Sequence, residues 1–131
     1  MRRLLDTNAY VALLRGDDSV ASLVRGSEQL VFSMVVLGEL LFGFRNGNRY
    51  EQNLAQLDEF LNQPWVALQA VTRITADRFG RIAAALRKAG TPIPTNDIWI
   101  AAHGFETGAE VITFDRHFSA IMGLPVTVLA E

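Results

Sequence analysis

Four acidic side chains stand where a carboxylate could do chemistry: Asp6, Glu39, Asp97 and Asp115. Asp6 closes a very short apolar run, residues 3–5, and Asp115 directly follows Val111-Ile112-Thr113-Phe114. Asp97 falls in the first turn of one helical pattern, and Glu39 about two turns into another. Taken singly, most of them have ordinary uses. Asp6 and Asp97 suit helix N-caps or first-turn acids, and Asp115 suits the start of a turn. Glu39 is the informative one. Its helical neighbours at three and four residues are Val35, Val36, Phe42 and Gly43, none of them basic. A glutamate on an otherwise apolar helix is costly to bury unless it is paired or bound to a cation. If the four acids gather, they repel one another and demand a cation. An oxygen-only carboxylate set suits Mg²⁺ or Mn²⁺. Such ions activate water and stabilise the leaving oxygen of a phosphodiester, which needs no histidine, cysteine or serine nucleophile.

Gathering the acids requires elements that carry them to one place. Apolar runs at 3–5, 30–32, 66–71, 110–114 and 126–129 predict short strands. Between them lie helical patterns. Asp6-Thr7-Asn8 caps one that passes through Tyr10, Leu13 and Leu14 and stops at Gly16. Asp17, Asp18 and Ser19 offer caps for a short helix ending near Gly26. Ser33 caps a third that holds Val35 to Phe42, with Gly43 and Asn46-Gly47-Asn48 as its end. Residues 50–62 and 74–89 follow, the latter amphipathic, with Phe79, Ile82, Ala83 and Leu86 on one face. Thr91-Pro92-Ile93-Pro94 is a rigid connector to a last helix that begins at Thr95-Asn96-Asp97 and ends at Gly108. Strands alternating with helices of this length imply an α/β fold in three layers, with four or five short parallel strands. In such folds ligand sites lie outside the carboxyl ends of the strands, which is where Asp6 and Asp115 fall.

Composition bounds the rest. A chain of 131 residues, 50% hydrophobic, fits one domain with a real core, 1–131. It has no cysteine, which removes disulfides and thiolate–zinc sites and suits a reducing cytoplasm. The N-terminus places Asp6 before any long apolar run, unlike a signal peptide. No apolar stretch approaches the roughly 20 residues that span a bilayer. The formal net charge of −2 does not announce a nucleic-acid binder, so such a function must rest on local patches.

With these residues in view, a resemblance emerges. Leu4-Leu5-Asp6-Thr7-Asn8 resembles the opening motif of PIN-domain nucleases. Gly38-Glu39-Leu40 followed by Gly43 resembles the second motif of VapC-type toxins. Pro94 to Ala102 and Thr113 to Phe118 are similar to the third and fourth. Order and spacing agree along essentially the whole chain. The resemblance implies a metal-dependent endoribonuclease, the toxin of a toxin–antitoxin pair, with Asp6, Glu39, Asp97 and Asp115 as the Mg²⁺ or Mn²⁺ site. It also implies RNA as substrate, a homodimer and a VapB-like antitoxin partner. The chain departs from the family at Phe114, where members often carry a small polar residue, commonly asparagine. That bears on how Asp115 is held, and an outer-ligand role is the corresponding expectation. A silent PIN-like module that only binds RNA or protein is the alternative reading.

Other α/β chemistries fit less well. A haloacid-dehalogenase-like phosphatase wants a second aspartate where Asn8 stands, and a receiver domain wants a lysine unlike the single Lys88. Thr7, Asn8, Asn96 and Thr113 flank the acids and could orient them, although local capping is the simpler use of Asn8 and Asn96. His103, Trp65 and Trp99 suit core packing, and His117 suits a loop surface. Phosphates need basic contacts. Arg2, Arg15, Arg45, Arg49 and the stripe Arg73, Arg78, Arg81, Lys88 are all available, and the sequence does not choose among them. The segment from Met34 to Phe44 is apolar around almost its full circumference, which predicts a face covered by a partner.

Overall fold

The computed structural model describes residues 1–131. Its five strands are β1 (Arg2–Leu5), β2 (Gln29–Ser33), β3 (Val66–Gln69), β4 (Glu110–Thr113) and β5 (Val126–Val128). The helices are α1 (Thr7–Leu14), α2 (Asp18–Arg25), α3 (Met34–Asn46), α4 (Tyr50–Leu61), α5 (Arg73–Ala89) and α6 (Thr95–Thr107). All strand pairs are parallel, in the order β3-β2-β1-β4-β5. The expected α/β architecture with five short strands is what the chain adopts.

Local chemistry explains the helix boundaries. The Asp6 carboxylate accepts from Ala9 N at 2.9 Å and so caps α1. Asp17 does the same for α2 through Val20 N at 3.0 Å. Gly90 and Gly108 end α5 and α6 in the left-handed region, at φ 72° and 68°, which costs a glycine least. Several boundaries differ from the sequence reading by a few residues, and two of them are informative. α3 runs through Gly43 to Asn46, because one interior glycine costs only about 1 kcal/mol while Leu40, Leu41 and Phe44 continue to pack on the core. β3 stops at Gln69 rather than at residue 71. A 3-10 helix, Arg116–Ala120, follows β4 and was not apparent in the sequence; Asp115 starts it by accepting from His117 N at 2.9 Å.

The chain first winds from β1 outward through β2 to β3, then returns to the other side of β1 for β4 and β5. Right-handed crossovers therefore put α1 to α4 on one face and α5 and α6 on the other. Helix contacts agree: α1 packs on α2 and α3, α3 on α4, and α5 on α6. On the first face Tyr10, Phe32 and Phe60 meet edge-on, with centroids 5.3 to 6.0 Å apart. On the second, Phe79 stacks on Trp99 at 4.1 Å, which gives Trp99 the packing role expected of it. His103 is fully buried. Its Nε2–H donates to Ala70 O at 3.1 Å, so its Nδ1 accepts from the Ser33 hydroxyl at 2.8 Å. Burial holds its pKa below the usual histidine value, and a neutral, satisfied core histidine is the result. No helix is long and apolar enough to cross a membrane.

Candidate active site

The order of strands reverses between β1 and β4, and this switch point is where an open α/β sheet leaves a crevice at its carboxyl edge. Asp6 leaves β1 there, and Asp115 follows β4 two residues after its last strand residue. The two helices that carry the other acids converge on the same edge. α3 and α6 lie on opposite faces of the sheet yet touch each other. The contact is made at the acids: Asn96 Nδ2, in the first turn of α6, donates to Glu39 Oε2 at 3.3 Å. Thr7, in the first turn of α1, donates to Glu39 Oε1 at 2.6 Å. Glu39 is thus tied to both neighbouring helix starts.

Asp6 is the most buried of the four, at 6% exposure. Its Oδ1 caps α1, and its Oδ2 accepts from the hydroxyl of Thr113, itself fully buried at the end of β4. The same Thr113 oxygen accepts from Asp115 N at 2.9 Å. One hydroxyl therefore joins two of the acids across the switch point. Asp115 Oδ2 lies 2.9 Å from His117 Nδ1, and Asp97 Oδ2 lies 3.5 Å from the same nitrogen. Asp97, Asp115 and His117 offer ligand atoms all within 4.8 Å of one another.

The electrostatics are those of a crowded acidic pocket. Burial pushes the carboxyl of Asp6 above the usual aspartate range, and Asp115 and Glu39 push it further; the bonds from Thr113 and Ala9 N pull it back. Asp97 is raised in the same way, by burial first and then by Asp115, Asp6 and Glu39, against the opposing hydrogen bond with His117. Each of these two acids feels the other carboxylates, so the four acids share one electrostatic site. Such a site can hold a hard cation against phosphate oxygens.

Three details of the sequence reading change. His117, expected on a loop surface, is half-exposed but touches two of the acids; its place two residues after Asp115 was the available signal. Asn96 serves Glu39 rather than its own helix end. Phe114 does not push Asp115 aside. The Thr113 hydroxyl reaches Asp6, while Phe114, in the bend after β4, packs half-buried against the core. Asp115 stays within the cluster. Asn8 is exposed, and Trp65 sits edge-on to Phe60 at 5.6 Å.

Comparison with known proteins agrees with this geometry. A Haemophilus influenzae ribonuclease VapC1 is 30% identical over 126 residues, 92% of each chain. A Salmonella typhimurium tRNA(fMet)-specific endonuclease VapC is 28% identical over 129 residues, 96% of each chain. The solved structure of VapBC2 from Rickettsia felis, bound to a DNA fragment from its promoter, superposes with a TM-score of 0.86 at 26% identity, covering 98% of this chain and 99% of that one. The PIN domain family profile matches residues 3–124. With a profile match over nearly the whole sequence and four acids at the switch point of the matching fold, the chain belongs to the PIN domain family.

Proposed function

We propose that this protein is a divalent-metal-dependent endoribonuclease, a single nuclease domain over 1–131, and the toxin half of a VapBC-like pair acting in the cytoplasm. The observation that supports the reading is the meeting of Asp6, Glu39, Asp97 and Asp115, brought by separate elements to the carboxyl edge of a parallel sheet. The donor set fits a hard divalent cation. All four are carboxylates, and the burial that chiefly raises Asp6 and Asp97, with the repulsion that adds to it, is what a bound cation would offset. These four residues would hold Mg²⁺ or Mn²⁺. When bound, the ion supplies Lewis-acid activation of water and charge neutralisation at a phosphodiester.

The chain's own residues prepare that arrangement. Thr113 fixes Asp6 and the backbone of Asp115, and Thr7 and Asn96 fix the two oxygens of Glu39. Outer hydrogen bonds of this kind set carboxylate orientation in advance, so less is lost on ordering the site. His117 holds the facing oxygens of Asp97 and Asp115 near one another. RNA as substrate is supported by the ribonuclease relatives, and a VapB-like antitoxin as partner by the VapBC structure it resembles; a second copy of the chain is part of the same proposal.

Purified protein should cleave RNA in Mg²⁺ or Mn²⁺, lose that activity in EDTA and regain it on adding the metal. Asp6→Asn and Asp97→Asn should fold and be inactive. Cleavage at the wild-type rate by Asp6→Asn, in protein free of contaminating nuclease, would overturn the mechanism and favour a module that only binds.

A further inference from the structure

The acidic pocket repels RNA, so the affinity for a polyanion must come from its surroundings. The structure narrows the basic residues that could supply it. Arg2 donates to Thr107 O at the opposite end of the sheet, and Arg3 is spent on Glu110, Leu23 O and Ser27 in the same region. Arg45 lies over the ring of Tyr50 at 3.9 Å and donates to its hydroxyl, and Arg81 pairs with Asp77. Arg15 and Arg116, like Arg49, Arg73, Arg78 and Lys88, are exposed and have no side-chain partner in the fold, but only Arg15 and Arg116 among these line depressions that share Phe114, one of which includes Asp115.

These two arginines stand along one groove. A depression of about 890 Å³ opens beside Asp115 and is lined by Arg116, His117, Asn8 and Phe114. A second, of about 530 Å³, continues from it along α1 past Asn8, Val11, Ala12 and Arg15. Three α1 residues and its C-cap, Arg15, are thus spaced as one helical stripe. The two depressions share Asn8, Phe114 and Glu131, so Phe114 forms the floor where they join. Its ring is half-buried, with one part on the core and the rest open to the groove. The groove thus starts at a carboxylate of the acidic cluster, crosses an aromatic surface flanked by the Asn8 amide and by Glu131, and carries the Arg116 guanidinium in one depression and that of Arg15 in the other.

We propose that this groove is a nucleotide subsite for single-stranded RNA, with a base stacked on Phe114 and the adjoining phosphates met by Arg116 and Arg15. The proposal rests on the ribonuclease reading given above. Single-stranded RNA is recognised largely by stacking on aromatic rings, and its backbone by arginine. A side chain without a ring at 114 offers no such surface, so Phe114 is a determinant of where the protein holds its substrate. Phe114 acts in binding, whereas the acids act on the scissile bond.

The test uses the full chain and a fluorescein-labelled single-stranded RNA 12-mer, with anisotropy for binding and cleavage of the same oligomer for kinetics. Phe114→Leu keeps an apolar side chain against the core and removes the ring. It should weaken binding about tenfold, the loss of one base–aromatic stack, and raise KM while leaving kcat within about twofold. Phe114→Trp should restore binding. Arg116→Gln should weaken binding and reduce the slope of log Kd against log salt by about 0.7, the loss of one phosphate contact to a single strand. A fall in kcat with unchanged KM for Phe114→Leu would make Phe114 a structural support of Thr113 and Asp115 and overturn the subsite. So would wild-type RNA binding by both variants together with lost binding of the co-expressed partner protein, which would assign the groove to that partner. If the wild type itself neither binds nor cleaves the oligomer in Mg²⁺, the ribonuclease reading falls first. If the wild type cleaves and Asp6→Asn does not, only the subsite is at stake.

Discussion

At the scale of single residues, Thr113 has the widest reach. Its hydroxyl donates to Asp6 and accepts from Asp115 N, so it serves two acids at once. Thr113→Val keeps the shape and removes both bonds. The buried Asp6 oxygen and the Asp115 amide would each lose a partner, at about 1–3 kcal/mol per unsatisfied buried group. RNA cleavage should fall by at least tenfold, and Thr113→Ser, which keeps the hydroxyl, should recover most of it. The acids themselves should behave in the opposite way. Asparagine caps a helix as well as aspartate does, and its amide nitrogen can donate to the Thr113 oxygen where the carboxylate accepted, so Asp6→Asn keeps the α1 cap and removes one charge from the crowd. Metal-free Asp6→Asn and Asp97→Asn should therefore melt higher than wild type, by about 4 °C for each kcal/mol of repulsion relieved in a chain of this size. Calorimetry in EDTA measures this; unchanged or lower melting temperatures in both would mean that the acids do not interact. The pH dependence has the same origin. Asp6 and Asp97 have folded-state pKa values above their unfolded ones. Folding then binds protons, and the stability they contribute is complete below the unfolded pKa and is lost as pH rises through the folded pKa. Metal-free wild type should gain stability from these two groups on mild acidification from neutrality, and the double variant Asp6→Asn/Asp97→Asn should lack that gain.

At the scale of elements, α3 and α6 decide whether the acids meet. α6 packs so closely on the sheet that a Cβ at Gly104 would lie 3.0 Å from Val111 Cγ2 and 3.2 Å from Leu124 Cδ1. Gly104→Ala should cost about 1–3 kcal/mol by overpacking, read by denaturant titration, and should lower activity by displacing Asp97 and Asn96 from Glu39. α3 shows how an apolar circumference is divided. Val36 and Leu40 are buried, and Leu41 and Phe44 pack partly against the core, with α4 alongside. Phe42 is 68% exposed. The sequence treated Leu41 and Phe42 alike; the structure separates them. Leu41→Glu should destabilise the isolated chain by placing a charge against apolar neighbours. Phe42→Glu should leave its stability within about 0.5 kcal/mol, the usual range for a surface change, and weaken binding of the proposed partner. Circular dichroism with pull-down of a co-expressed VapB-like antitoxin distinguishes these outcomes. Undiminished partner binding by folded Phe42→Glu would place the partner elsewhere.

At the scale of the whole molecule, the site is a consequence of winding. The chain leaves β1 in one direction and returns on the other side, and only then do Asp6 and Asp115 become neighbours. The acids come from elements that span most of the sequence, so a cation bound there links the two halves of the fold. A ligand that binds only the folded state stabilises it by about 2.7 kcal/mol at a hundred times its Kd. Saturating Mg²⁺ or Mn²⁺ should accordingly raise the melting temperature of wild type and have much less effect on Asp97→Asn. A metal shift of equal size in both would place the ion outside this cluster.

Much of the fold was legible in the amino-acid order, for reasons that are local. Apolar alternation, the caps at Asp6, Asp17 and Ser33, and the stops at Gly90 and Gly108 are decided within a few residues. The four acids were legible because a lone glutamate on an apolar helix, and aspartates at strand ends, call for an explanation. What remained open is decided by contacts between residues far apart in the chain. Asn8 and Asn96 look alike in sequence, yet Asn96 reaches Glu39, 57 residues away, while Asn8 faces a groove. His117 and Arg116 are adjacent, but the turn begun by Asp115 puts His117 on the acids and leaves Arg116 without a partner. Phe114 looked like an obstacle to Asp115 because a sequence gives no direction to a side chain. The tertiary structure points Thr113 into the site and Phe114 into the groove, because β4 ends at Thr113 and the chain bends at Phe114, and the packing of β4 against β1 and α1 fixes which way Thr113 faces.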